Sequence, residues 1–429
     1  MKINNVPEKW MIRFKIGIFC VDHVVLDIKN RENDVLSVFL HGNGFIEVVL
    51  NFNGKAKPVI LFAKYISNTE NIIEISFVGH RVELYVNNIL TDEDWPLGIL
   101  ELENSDCLVC PMDFLILNNG KLLQKNFDFP KKVDIKGYKP KGFNVYAGDC
   151  MPFEFENTYH LFYLFDRRRH GSKYGLGAHQ WAHLATNNFI DWYEYPLAIE
   201  IDAQFEGSIC TGSVIYKYNN GKYINGTFYA FYAVRMSDGS PARITWSTSK
   251  DCIHFGKSGK TLTLTDHFDQ ASARDPKVFY GEDGKFHMLV TTSMNDENRF
   301  GALAHLVSSD LENWTELAEP FLVVDTQEQP ECPDYLSIGG IYYLIYSLHG
   351  QARYLFSKEQ FGELIELKDN KIGTNSFRVP KMACFHVVRI IAAGFIPTMS
   401  AGYGGELSFL EVFSDVDGRL TFELVKELL

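Results

Sequence analysis

The chain has 429 residues, too many for one ordinary core, so length predicts two domains or a small domain beside a large repetitive one. The formal net charge of -13 excludes a polyanionic partner, since nucleic-acid binding needs a basic face and no long basic run exists. Aromatic residues reach 14%, which suits rings packed on a pleated sheet and, in smaller measure, rings stacked on sugar faces.

Met1–Phe19 carries charges at Lys2, Glu8, Lys9, Arg13 and Lys15, with no uninterrupted apolar stretch and no small-residue cleavage site, so no secretory signal is expected. No run elsewhere reaches about 18 apolar residues, which predicts no membrane helix. Cys20, Cys107, Cys110, Cys150, Cys210, Cys252, Cys332 and Cys384 are scattered and read as reduced thiols of a cytoplasmic protein. Cys107 and Cys110 have metal-ligand spacing, but no second pair completes a zinc site, so neither metal nor cofactor is expected.

Short alternating or fully apolar runs separated by Gly, Asn and Asp recur along the chain, the pattern of an all-β protein. Residues 1–135 form the first region, with strands expected at Trp10–Phe19, Val24–Ile28, Val35–His41, Ile46–Phe52, Val59–Ala63, Ile72–Val78 and Arg81–Val86. Two alternating strands meet at Gly79-His80, and a second turn falls at Asn87-Asn88. This hairpin resembles that of concanavalin-like (laminin G type) domains, which implies an N-terminal β-sandwich that buttresses its neighbour. Pro130–Lys141, basic and Pro-containing, reads as the linker.

The rest, residues 142–429, repeats. One motif runs through Tyr159–Tyr163, Phe228–Tyr232, Phe286–Val290 and Tyr342–Tyr346, and a second follows each copy, leading to Trp192, Phe255, Trp314 and Phe361. A period on the order of 60 residues is the scale of propellers and solenoids. Four clear units and a degenerate fifth, from about Phe377 to Leu429, predict a five-bladed β-propeller.

The innermost strand of each blade should line a central funnel. Asp149 lies about ten residues before Tyr159, while Asp275 and Glu331 each lie about eleven before Phe286 and Tyr342. Three carboxylates thus hold equivalent positions in three blades, with Cys210-Thr211-Gly212-Ser213 at the matching place in blade two, small enough to leave room for a ligand.

Arg274-Asp275-Pro276 and Glu331-Cys332-Pro333-Asp334 resemble signature blocks of glycoside hydrolase family 32, the invertases, inulinases and levanases. Trp181–Trp192 is similar to another block of that family, and Cys210–Ser213 occupies the place of a fourth. The resemblance implies a retaining hydrolase of β-fructofuranosidic bonds in sucrose, sucrose phosphate or short fructo-oligosaccharides. Asp149 would be the nucleophile, Asp275 the transition-state stabiliser and Glu331 the acid/base, kept protonated by partial burial and neighbouring negative charge. Trp181, Thr211, Arg274 and His179 would contact the substrate, and Arg167, in the cluster Asp166–His170, could take a phosphate. His183 belongs either to the pocket or between blades. The family's nucleophile block carries amides on both sides of its aspartate, and here Gly148 and Cys150-Met151-Pro152 replace them. That departure leaves open a related furanosidase acting on other fructose- or arabinose-containing glycosides, or a sugar-binding propeller without catalysis.

Overall fold

The structure, a computed structural model, describes residues 2–3, 8–17, 22–31, 33–55, 57–65, 69–111, 113–118, 129–219, 222–373, 376–386, 388–399 and 402–429. It is nearly all β. Cys20 and the expected end of the first strand at Phe19 lie outside these residues.

Two five-stranded antiparallel sheets form the N-terminal part. One orders Leu115–Asn118, Trp10–Ile16, Asn71–Phe77, Val82–Val86 and Ile89–Asp94; the other orders Val59–Lys64, Phe45–Leu50, Asn33–His41, His23–Asn30 and Asp106–Val109. Alternation sends Ile12, Phe14, Leu36, Val38, Val48, Leu61, Ile75 and Leu84 into one shared core, so the sheets make a sandwich. The hairpin read from sequence is present: Asn87 and Asn88 both have positive φ, at 52° and 65°, as a two-residue turn between twisted strands requires.

Four antiparallel sheets follow, one of them nine-stranded and shared by two blades, and together they make the five blades of a propeller. Their inner strands are Val145–Phe155, Glu206–Asn219, Arg274–Tyr280, Glu331–Ile338 and Arg378–Phe385. Each touches the next, and the fifth touches the first, so the ring closes. The last blade looks degenerate only in sequence. It has four strands, Arg378–Phe385, Arg389–Pro397, Gly405–Ser414 and Leu420–Leu424, and Gly405 pairs with Ala147 to join blade five to blade one. The segment expected to be a linker is partly a strand: Lys131–Val133 pairs with Trp192–Glu194 at the outer edge of blade one.

Aromatic rings fill the seams between blades. Trp181, Phe162 and Tyr232 pack between blades one and two, and Tyr159, Phe189, Trp192, Phe385 and Phe409 between blades one and five. His183 is fully buried there, bonded to His160 and stacked on Phe162, so it belongs to the core and not to the pocket.

The sandwich docks on blade one through buried charge. Arg167 donates to Glu93 (3.0 Å) and to the Phe143 carbonyl (2.8 Å), while Arg168 reaches Asp92 (2.6 Å) and Asp94 (2.8 Å). Arg167 is therefore not placed to take a phosphate. Its guanidinium is 3% exposed because it answers acids that the sandwich buries at the interface.

Candidate active site

Every inner strand has a break in its ladder within its first half. Pairing with the second strand skips between Ala147 and Cys150, Ile209 and Gly212, Arg274 and Lys277, Glu331 and Asp334, and Arg378 and Lys381. A bulge leaves residues without ladder partners and bends the strand, which re-aims side chains. In blades three to five the first bulge residue precedes proline and sits at positive φ: Asp275 at 54°, Cys332 at 52° and Val379 at 46°. Left-handed backbone on such residues is strained and persists only where the surroundings impose it.

The register corrects one expectation. The three acids are not strictly equivalent: Glu331 precedes its bulge, Asp275 is the first residue of its own and Asp149 the second. The bulge absorbs the offset. All three line one cavity of about 500 Å³, together with Thr211, Arg274, His179, Cys332 and Tyr403.

Asp149 is nearly buried, and its Oδ2 accepts from the Thr211 hydroxyl (2.6 Å) while its Oδ1 accepts from the Tyr403 hydroxyl (2.9 Å). The Cys332 thiol bridges two acids, 3.5 Å from Asp149 Oδ2 and 3.4 Å from Asp275 Oδ2. Burial, then the charges of Asp275 and Asp149, push that thiol well above its ordinary pKa, so it stays a proton donor. Asp275 also accepts the Cys332 backbone N–H (3.1 Å). Its carboxyl is raised above the usual range mainly by burial, with Asp149 pushing the same way and Arg274 and Lys381 pulling it down. Lys381 is buried, donates to the Gly212 carbonyl (2.9 Å) and has its ammonium pKa lowered by desolvation.

Glu331 departs from the expected setting. Its side chain is 47% exposed, and its partner is the Arg274 guanidinium at 2.8 Å, which also lies 3.7 Å from Asp275. Solvent and a cation surround it, not burial and negative charge.

His179 reaches the cavity wall, with Nε2 on Asp166 Oδ1 (2.8 Å) and its backbone N–H on Ser208 (3.0 Å). Trp181 does not reach the cavity. It is completely buried, its indole N–H donating to the Cys210 carbonyl (2.9 Å), because strand alternation turns it into the seam. Asp166, His170 and His179 bring three potential ligand atoms within 4.8 Å of one another. The carboxylate is already engaged by the backbone N–H groups of Arg169 (2.8 Å) and His170 (2.9 Å) as well as by His179. Sequence reading missed Tyr403, Lys381, Arg235 and Arg378, of which all but Lys381 line the cavity. The run Gly402-Tyr403-Gly404-Gly405 was the available signal for the first, since glycines bracket a ring where chains approach closely.

Residues 150–384, more than half the chain, match the family model described as "Glycosyl hydrolases family 32 N-terminal domain". The chain belongs to glycosyl hydrolase family 32. The family match begins one residue after Asp149, so the altered nucleophile block falls at its margin. Among relatives, a sucrose-6-phosphate hydrolase of Salmonella typhimurium is 27% identical over 209 residues, covering 47% of this chain and 42% of its own. A raffinose invertase of Escherichia coli is 23% identical over 319 residues, 64% of this chain and 61% of the invertase. This chain thus spans less than two thirds of the length of either. The crystal structure of fructan 1-exohydrolase IIa from Cichorium intybus superposes with a TM-score of 0.56 at 19% identity, covering 69% of this family 32 chain and 61% of that one, a likeness of fold.

Proposed function

We propose that this family 32 protein is a retaining β-fructofuranosidase acting on small fructosides. The reading rests above all on the meeting of Asp149, Asp275 and Glu331, from three blades, in one sugar-sized hollow. Residues 1–135 serve as the buttress and 142–429 as the catalytic unit, with the strand at Lys131–Val133 lent to blade one.

Glu331, the half-open carboxyl at the mouth, protonates the glycosidic oxygen as the bond to the fructosyl C2 breaks. Asp149 attacks C2 from the other face and forms a fructosyl ester. The leaving sugar departs, Glu331 then takes a proton from water, and that water cleaves the ester with overall retention. Asp275 holds ring hydroxyls of the reacting unit while positive charge grows on it. Arg274 keeps Glu331 and Asp275 in fixed relation.

Arg235 and Arg378 line the same cavity and donate to the backbone carbonyls of Leu176 and Gly350, and not to carboxylates among the described residues. Two such cations favour a substrate whose leaving sugar carries a phosphate, in keeping with the names of several relatives.

The test is hydrolysis of sucrose, 1-kestose and sucrose phosphate by the parent, Asp149→Asn and Glu331→Gln, with the anomer of released fructose followed by NMR. Turnover with retention, lost in both variants, is expected. Release of the inverted anomer, or parental rates in Glu331→Gln, would sink the assignment.

A further inference from the structure

Gly148 and Tyr403, 255 positions apart in sequence, occupy one volume beside Asp149. A Cβ at residue 148 would lie 2.3 Å from the Tyr403 hydroxyl and 2.7 Å from its ring, so no side chain fits there while the tyrosine is seated. The hydroxyl grips Asp149 twice, accepting its backbone N–H (3.1 Å) and donating to Oδ1 (2.9 Å). The first bond is needed because the bulge removes Asp149 from the ladder and leaves a buried N–H to be paired. Burial and the Asp149 charge push the phenol pKa well up, so Tyr403 remains a neutral donor.

The cluster singled out in the sequence builds the seat. Arg169 stacks on Tyr146 (3.8 Å) and donates to the Tyr403 carbonyl (3.1 Å). The rings of His170 and His179 lie 3.8 Å and 5.2 Å from the phenol, and Asp166 fixes both residues through its Oδ1. Arg167 and Arg168 face the sandwich, while Arg169 and His170 face Tyr403.

We infer that Tyr403 is a positioning residue for the nucleophile, supplying from blade five the polar contact that Gly148 cannot make. The inference rests on the fructosidase reading above. With both carboxylate oxygens of Asp149 held by hydroxyls, one from Thr211 and one from Tyr403, the plane of attack is fixed. Whichever oxygen bonds C2, the other keeps its donor through the ester stage. Gly148 and Tyr403 then form an exchangeable pair, in which an amide side chain at 148 and a ring at 403 exclude each other.

The experiment measures kcat and KM on 1-kestose for the parent, Tyr403→Phe, Tyr403→Ala, Gly148→Asn and Gly148→Asn/Tyr403→Ala, with thermal melting of each. Tyr403→Phe keeps the ring but loses both the donor to a charged group and the acceptor of the Asp149 N–H, so kcat should fall about 10- to 100-fold with KM within about twofold, while melting stays cooperative at a somewhat lower temperature. Gly148→Asn alone should be nearly inactive. The double variant should exceed both Gly148→Asn and Tyr403→Ala, because the amide enters the vacated volume. Parental kcat in Tyr403→Phe, or a double variant that fails to exceed both of its singles, overturns the inference. Asp149→Asn run alongside separates the two ideas: a parent active through Asp149 but indifferent to the Tyr403 hydroxyl leaves the fructosidase reading standing. A parent inert on every fructoside overturns both.

Discussion

Arg274→Gln removes the cation held between Glu331 and Asp275, while keeping a polar side chain that spares the cavity a void. The guanidinium is 24% exposed and sits 2.8 Å from Glu331, itself 47% exposed, so the pair is partly screened. A charge-assisted bond in that setting lies toward the low end of about 1.5–3 kcal/mol. If it orients Glu331 in the transition state, kcat/KM should drop about 10- to 30-fold. A second effect has a definite sign. Arg274 pulls the Asp275 carboxyl down against burial, so without it Asp275 stays protonated to higher pH. The acidic limb of kcat/KM against pH should therefore move upward. Initial rates of fructose release from 1-kestose across the acid-to-neutral range read both effects. A variant within twofold of the parent, with its acidic limb in place, would refute the view that Arg274 couples Glu331 to Asp275.

Asp275→Asn should abolish turnover yet stabilise the fold at neutral pH relative to the parent. The folded carboxyl is raised above its ordinary value of 3.8, so its contribution to stability is complete below that pH and is lost as pH rises through the higher folded value. Melting curves should show the variant's advantage growing in that direction, and an advantage that shrinks would count against it. Glu93→Ala takes from Arg167, 3% exposed, its nearer acid at 3.0 Å and leaves it only Asp92 at 3.6 Å, so it should cost about 3 kcal/mol in denaturant unfolding, the low end for a broken buried pair; a loss below about 1 kcal/mol would show that the seam contributes little. Trp181→Ala, which empties a fully buried site, should lower stability by about 3–5 kcal/mol and leave KM unchanged. A raised KM at unchanged stability would return Trp181 to the pocket. Arg235→Gln should raise KM for sucrose phosphate more than for sucrose, as steady-state kinetics on the two will show.

The propeller was legible because each blade repeats the same strand chemistry, and the acids were legible because Arg274-Asp275-Pro276 and Glu331-Cys332-Pro333 combine charge with a proline that stiffens the bend. What escaped the sequence depends on side-chain direction and distance along the chain. Trp181 lies on a strand whose residues are all buried, so alternation alone could not say which neighbour each one faces. Arg167 and Arg168 answer acids some 75 positions upstream, on the last strand of an N-terminal sheet, and no local pattern records that pairing. The one-residue drift among Glu331, Asp275 and Asp149 was hidden because a bulge hands consecutive residues to the same hollow. Tyr403 comes from the blade whose repeat is weakest, so the spacing argument never reached it.

The pairing of Gly405 with Ala147 is a modest seal between the two ends of the disc, yet it sits within two residues of both Tyr403 and Asp149. Circularisation of the blades and completion of the nucleophile's surroundings are consequently one event. During refolding, turnover should emerge no sooner than the final blade latches onto the first, and a chain stopped before Gly405 would carry its three acids without a working centre.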